Sequence, residues 1–154
     1  MLDEAFAKGM GTGEILEPVD TKVSFSHIIV KPDISISTAE MYKRLGSLRR
    51  RPKKKGIGKV VSALKKKDLI LLKETYYNIF EEALGDYSRY INKAKSLLEG
   101  VGAGPGFLSG SGASVFCTFN KREEAIETLK RIPEDKDLAL FLATSYKGGI
   151  YGDK

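Results

Sequence analysis

Apolar residues along this chain come in short bursts, and their spacing changes between continuous or alternating runs and steps of three and four. Residues 21–31, TKVSFSHIIVK, alternate and then run unbroken through Ile28, Ile29 and Val30, the pattern of a strand entering a covered sheet. Residues 113–119 and 138–146 (LALFLATSY) have the same character and predict two further strands. Helical spacing fills the intervals. Ser37-Thr38-Ala39-Glu40 has the form of a capping box, so a helix is expected to start there, pass through Met41, Tyr42 and Leu45, and fail near Gly46. Val60, Val61 and Leu64 predict a second helix that reaches a junction at Asp68. Leu69, Leu71, Leu72, Tyr76, Ile79, Phe80 and Ala83 predict a third that ends at Gly85. Asp86 is placed to cap a fourth, in which Tyr87, Tyr90, Ile91, Ala94, Leu97 and Leu98 recur until Gly100 and Gly102 stop it. Residues 121–131 read as a short amphipathic helix with Ala125, Ile126 and Leu129 inward. This order predicts an α+β fold, a mainly antiparallel sheet with helices packed on one face.

Composition narrows the class without naming a function. With 154 residues, 42% hydrophobic and 30% charged, the chain suits one globular domain and not a disordered tail. No apolar run approaches the roughly 20 residues of a spanning helix, and MLDEAFAKG has no signal-like stretch, so no membrane partner and a cytoplasmic location are expected. Cys117, the one cysteine, sits in an apolar run and reads as a buried, inert thiol. His27 alternates with Phe25 and reads as a structural imidazole. No cluster of Cys, His and Asp has metal-ligand spacing.

The net charge of +6 is local. Twelve basic residues and no acidic one lie between Lys43 and Lys67, which leaves 14 basic against 20 acidic elsewhere. The centre of that stretch, RRRPKKKGIG over residues 49–58, reads as a solvated loop. A nucleic-acid module is the rival that such a loop raises. Phe25, Phe116, Phe119 and Phe141 lie in apolar runs that read as buried, whereas an RNA-binding sheet exposes its aromatic residues, so nucleic acid is not the expected partner.

The densest chemical signal is residues 101–119, VGAGPGFLSGSGASVFCTF. Gly102, Gly104, Gly106, Gly110 and Gly112 require turns or close approach, and Ser109 and Ser111 alternate with glycine, so N–H groups and hydroxyls can face an anion. On spacing alone, a ligand-free turn between two strands is the favoured reading, because no Walker-type lysine follows and the next element reads as a strand, not a helix. Thr38 and Tyr42, four residues apart, share one face of the first helix. Thr38 can be a simple cap and Tyr42 a core-edge ring.

Three segments resemble the GHMP kinase superfamily, whose C-terminal domain is ferredoxin-like. Leu108-Ser109-Gly110-Ser111-Gly112 with Val115-Phe116 is similar to the family's phosphate-proximal glycine loop. Val30-Lys31-Pro32 followed by Ser35 to Tyr42 resembles the segment that carries a threonine near the reaction centre and a ring stacking on a cytosine. Residues 7–14, AKGMGTGE, resemble the stretch that follows the catalytic aspartate.

The resemblance implies a domain division, with residues 1–18 as the link from an N-terminal kinase half and residues 19–154 as the substrate-binding domain. It also implies transfer of the ATP γ-phosphoryl group to 4-diphosphocytidyl-2-C-methyl-D-erythritol, in non-mevalonate isoprenoid biosynthesis. Thr38 and Tyr42 are then substrate contacts for a cytidine diphosphate-type small molecule, and Ser109, Gly110, Ser111 and Gly112 form the phosphate-proximal loop. Asn78 falls where the family often has an asparagine, although a solvent-facing helical position suits it equally. No residue of this chain is expected to be the catalytic base: Asp3 lacks the flanking pattern, and the ATP loop has no counterpart. ATP with Mg²⁺ therefore belongs to a complete enzyme, and the chain alone is expected to be inactive. Another GHMP small-molecule kinase is the alternative.

Overall fold

The protein is described by a computed structural model over residues 6–11, 13–21, 23–48 and 56–145. In chain order it forms β1 (Ala7–Met10), β2 (Ile15–Pro18), β3 (Ser26–Pro32), α1 (Thr38–Gly46), α2 (Gly58–Lys66) and α3 (Leu69–Thr75). Then come 3₁₀ turns over Ile79–Ala83 and Gly85–Tyr87, α4 (Ser88–Gly100), β4 (Phe107–Leu108), β5 (Val115–Phe119), α5 (Arg122–Lys130) and β6 (Leu138–Thr144). The main sheet has the order β4-β5-β3-β6 with every pair antiparallel. Its register aligns Ile28 with Cys117 on one side and Leu142 on the other.

The sheet presents two unlike faces because successive strand residues point to opposite sides. Ile28, Val30, Val115 and Cys117 are all 0% exposed and pack against Met41 of α1, Ile91 and Leu98 of α4, and Ala125 of α5. Each such aliphatic side chain contributes roughly 1.5–3 kcal/mol by leaving water. Burial pushes the Cys117 thiol up to about 11, which fits the inert role expected of it. The opposite face carries Phe25, His27, Phe116 and Thr118, and there α2 and α3 form a second, smaller cluster of Val23, Phe25 and Leu64 with Val60, Leu69 and Leu72. The α+β class and the antiparallel sheet are as expected, and the α2–α3 pair adds helix to the second face.

Four local expectations are corrected. β1 and β2 form a hairpin, with Ala7 opposite Pro18 and Met10 opposite Ile15, where only a link was read. Its turn uses Gly11 and Gly13 at φ +67° and +109°, and the Gly13 N–H donates to the Met10 carbonyl at 3.0 Å. The third helix stops at Thr75 and does not continue to Ala83, because the Asn78 side chain accepts the Phe80 N–H at 3.0 Å and opens a 3₁₀ turn. Asp86 lies inside the second 3₁₀ turn and does not cap α4, whose N-cap position is Tyr87. Phe141, opposite Ile29 and so on the second sheet face, is 52% exposed, not buried as its apolar run implied.

The capping box is half formed. Ser37 accepts the Glu40 N–H at 3.4 Å, but the Glu40 carboxylate turns to Arg44 at 2.7 Å and to the Tyr87 hydroxyl at 3.0 Å. The α2–α3 junction falls at Asp68 as expected, with its carboxylate accepting the Leu71 N–H at 3.0 Å. Asp3, residues 49–55 of the basic stretch and Tyr146 lie outside the described residues. Among the described residues no helix is long and apolar enough to cross a membrane.

Candidate functional site

Helix α1 and the glycine-rich turn between β4 and β5 are far apart in sequence and meet in space. The Thr38 hydroxyl, at the first position of α1, lies 2.8 Å from the Ser111 hydroxyl, and either can be the donor. A Cβ added to Gly112 would sit 3.0 Å from Ile36 Cδ1, so the glycine permits the approach of the segment leading into α1. The turn is tight: the Gly112 N–H donates to the Ser109 carbonyl at 3.0 Å and the Ser109 N–H to the Ser114 carbonyl at 2.8 Å. Gly110 and Gly112 have φ of +54° and +102°, and the Gly112–Ala113 peptide bond is cis. The N–H groups of Gly110 and Ser111 have no backbone acceptor among the described residues. A pair of N–H groups without a backbone acceptor suits an anion, including a phosphate oxygen.

A third element, residues 76–81, fixes the turn from behind. The Tyr76 hydroxyl and the Asn78 amide both donate to the Leu108 carbonyl, at 2.6 and 2.9 Å. Asn78 also donates to the Gly110 carbonyl at 2.7 Å, and the Leu108 N–H reaches Glu81 Oε1 at 3.3 Å. Lys95 holds Glu81 at 2.7 Å. Burial is the main reason that the Tyr76 phenol is pushed up to about 12, so it stays a donor. The solvent-facing reading of Asn78 is therefore corrected, since its amide is committed to the turn. Tyr76 and Glu81 were missed because an apolar run had been read as one helix; a polar Tyr-Asn pair at its centre was the available signal.

Tyr42 lies one helical turn beyond Thr38 on α1. It is 62% exposed, and its ring meets Phe80 edge-on, with centroids 5.0 Å apart and planes at 85°. The remaining face of the ring is open to a planar partner. The structure thus brings together Thr38, Ser111 and Gly112, with Tyr42 on the same helix beside them, on an open surface. Phe80, which follows the Asn78 clamp, links the tyrosine to the turn. His27 lies elsewhere, on the second sheet face, bonded to Thr118 at 3.1 Å and Ser145 at 3.2 Å. Burial lowers its pKa. Among the described residues no group of three or more His, Cys, Asp or Glu has the arrangement of a metal site.

A family model described as GHMP kinases C terminal matches residues 60–137, about half of the chain. A 4-diphosphocytidyl-2-C-methyl-D-erythritol kinase of Desulfotalea psychrophila is 35% identical over 120 residues, covering 78% of this chain and 38% of its own length. A kinase of the same name from Clostridioides difficile is 29% identical over 149 residues, covering 92% of this chain and 48% of its own. The chain thus spans between about two fifths and one half of these relatives' length. A solved 4-(cytidine 5'-diphospho)-2C-methyl-D-erythritol kinase has a similar fold, with TM-score 0.70 and 17% identity over 93% of this chain and 50% of that one. A homoserine kinase from Cytophaga hutchinsonii is similar in fold at TM-score 0.60 and 19% identity, over 87% and 45% of the two chains.

Proposed function

The chain belongs to the GHMP kinases as their C-terminal domain, and from that premise we propose that it forms the substrate-side wall of an ATP-dependent kinase for 4-diphosphocytidyl-2-C-methyl-D-erythritol. Such an enzyme works in the cytoplasm, in the non-mevalonate route to isoprenoids. The observation that carries this reading is the 2.8 Å contact between Thr38 and Ser111, which joins the helix bearing Tyr42 to the glycine turn. In this reading the exposed face of Tyr42 stacks on the cytosine, and Thr38 orients the substrate. The N–H groups of Gly110 and Ser111 face phosphate oxygens, with Ser109 and Gly112 shaping the turn.

ATP with Mg²⁺, when bound, supplies the phosphoryl group and neutralises its charge. None of this chain's described residues is assigned to the metal, which arrives on the nucleotide's phosphates. The base and the ATP loop belong to an N-terminal half, joined through residues 1–18 to the substrate domain at residues 19–154. The chain alone then has no turnover with ATP and substrate; measurable turnover in a steady-state assay refutes this division of labour.

Cytidine 5'-diphosphate titrated into the ¹⁵N-labelled chain tests the site directly. Saturable amide shifts are expected at Thr38, Tyr42 and Ser111. Tyr42→Ala should weaken that binding by about tenfold, as stacking worth about 1–3 kcal/mol implies, while leaving the spectrum folded. Shifts of the same amides by homoserine instead of the nucleotide would favour a different GHMP substrate, the reading that the homoserine kinase fold likeness keeps in view.

A further inference from the structure

The second sheet face holds a cavity that the kinase reading does not use. Between the sheet and helices α2 and α3 lies a space of about 240 Å³. Its apolar walls include the side chains of Phe25, Val60, Leu64, Leu72, Phe107 and Phe116. A hollow of this make-up accepts apolar groups, because water there finds few polar partners.

The polar groups that reach it are nearly all engaged. His27 and Thr118 are 3.1 Å apart, the second His27 nitrogen meets Ser145 at 3.2 Å, and the Tyr76 hydroxyl donates to Leu108 at 2.6 Å. Lys73 is different. It lines the same space, is half-buried, and has no ion pair or hydrogen bond among the described residues. Its Nζ lies 2.9 Å from where a Cβ on Gly104 would stand, so the ammonium sits beside the start of the glycine-rich segment, at the edge of an otherwise apolar lining. The imidazole is neutral at neutral pH because burial lowers its pKa, which leaves Lys73 as the one positive charge among the described residues that line the cavity. A cation partly withdrawn from water without a partner is unfavourable, and an arriving anion relieves it.

We propose that this cavity is a binding site for a small amphiphilic carboxylate, a phenyl-sized or branched apolar group seated on Phe116 and Leu72 with its carboxylate on Lys73. The single ammonium selects a carboxylate over a phosphate, since among the described residues no arginine fork and no second lysine lines the cavity to meet a doubly charged group. The site stands independently of the kinase reading, because its wall residues are separate from Thr38, Tyr42 and the turn 109–112.

The test uses the full 154-residue chain, ¹⁵N-labelled, with 3-phenylpropionate and its neutral counterpart 3-phenylpropionamide as probes. Saturable shifts are expected at the amides of His27, Phe116 and Thr118, with the acid binding about tenfold tighter than the amide. Lys73→Met should erase that difference while keeping amide binding. Leu64→Trp should fill the space and abolish both. Equal binding of acid and amide overturns the anion class, and absence of saturable shifts, or shifts confined to residues 36–42 and 109–112, overturns the site. Should Leu64→Trp fail to fold, Lys73→Met, a change at a half-buried side chain, still decides between the outcomes.

Discussion

The two faces of one sheet behave as different materials. On the face covered by α1, α4 and α5, Ile28, Val30, Val115 and Cys117 reach 0% exposure, while the neighbouring residues of the same strands, His27 and Phe116, stay half-buried beside a cavity of about 240 Å³. Strand alternation alone dictates that both faces exist, but it does not decide how well each is filled. The difference comes from the covering elements. Helix α4 is 13 residues long and presents Ile91, Ala94 and Leu98 as a continuous buried stripe, whereas α2 and α3 have nine and seven residues and bury only Ala63 and Leu64 between them. One face supplies stability, and the looser one leaves room for a ligand.

Truncation across the sheet is the strongest way to break this contrast. Ile28→Ala should cost about 3–4 kcal/mol in urea unfolding, and Leu72→Ala on the loose face no more than about 2, because a half-buried site next to existing space creates little new cavity. Equal losses would mean that the second face is packed as tightly as the first. Asn78→Ala comes next. It removes the amide donors from the Leu108 and Gly110 carbonyls and the acceptor from the Phe80 N–H, so about 1–3 kcal/mol should be lost, with faster hydrogen exchange at residues 109–112 than in β3. Unchanged exchange in the turn would show that its shape does not depend on this clamp.

The smallest effect concerns pH. Burial holds the His27 pKa in the folded chain below its ordinary 6.5, so the unfolded chain takes up the proton first on acidification. Stability should therefore begin to fall as the pH drops through 6.5 and level off below the folded value, and His27→Gln should flatten that segment of the curve. Glu17, Glu40 and Asp135 are held low chiefly by hydrogen bonds from Lys8, Arg44 and Lys93, and their stabilisation is lost only at more acid pH, below 4.5 for the glutamates and 3.8 for the aspartate. A stability curve flat through 6.5 would remove histidine from the account of the loose face.

Legibility in the sequence did not follow that divide. β3, α1, α2 with its junction at Asp68, the body of α4, β5, α5 and β6 were all readable from their apolar rhythm. The Thr38 and Tyr42 helix and the glycine turn were readable as separate motifs, and the Thr38–Ser111 bond joins them. The β1–β2 hairpin left no rhythm to read, since β2 is exposed at all four positions and β1 at three of four. Residues 76–83 misled because Ile79, Phe80 and Ala83 keep helical spacing after the helix has ended, and only the side-chain bond from Asn78 to Phe80 decides otherwise. Phe141 misled in the same way: its strand is an edge, so its apolar neighbours say nothing about what covers it.

The Thr38–Ser111 bond has no fixed direction, and this sets a property of the surface it belongs to. Two hydroxyls that hold one another can exchange the roles of giver and receiver by rotation about a single torsion in each. The edge they form thus works as a swivel: its polarity reverses on rotamer timescales while every carbon and backbone atom stays in place. Replacing Thr38 by valine would keep the shape and take away one of the two hydroxyls, which makes Thr38→Val the change that separates contour from polarity.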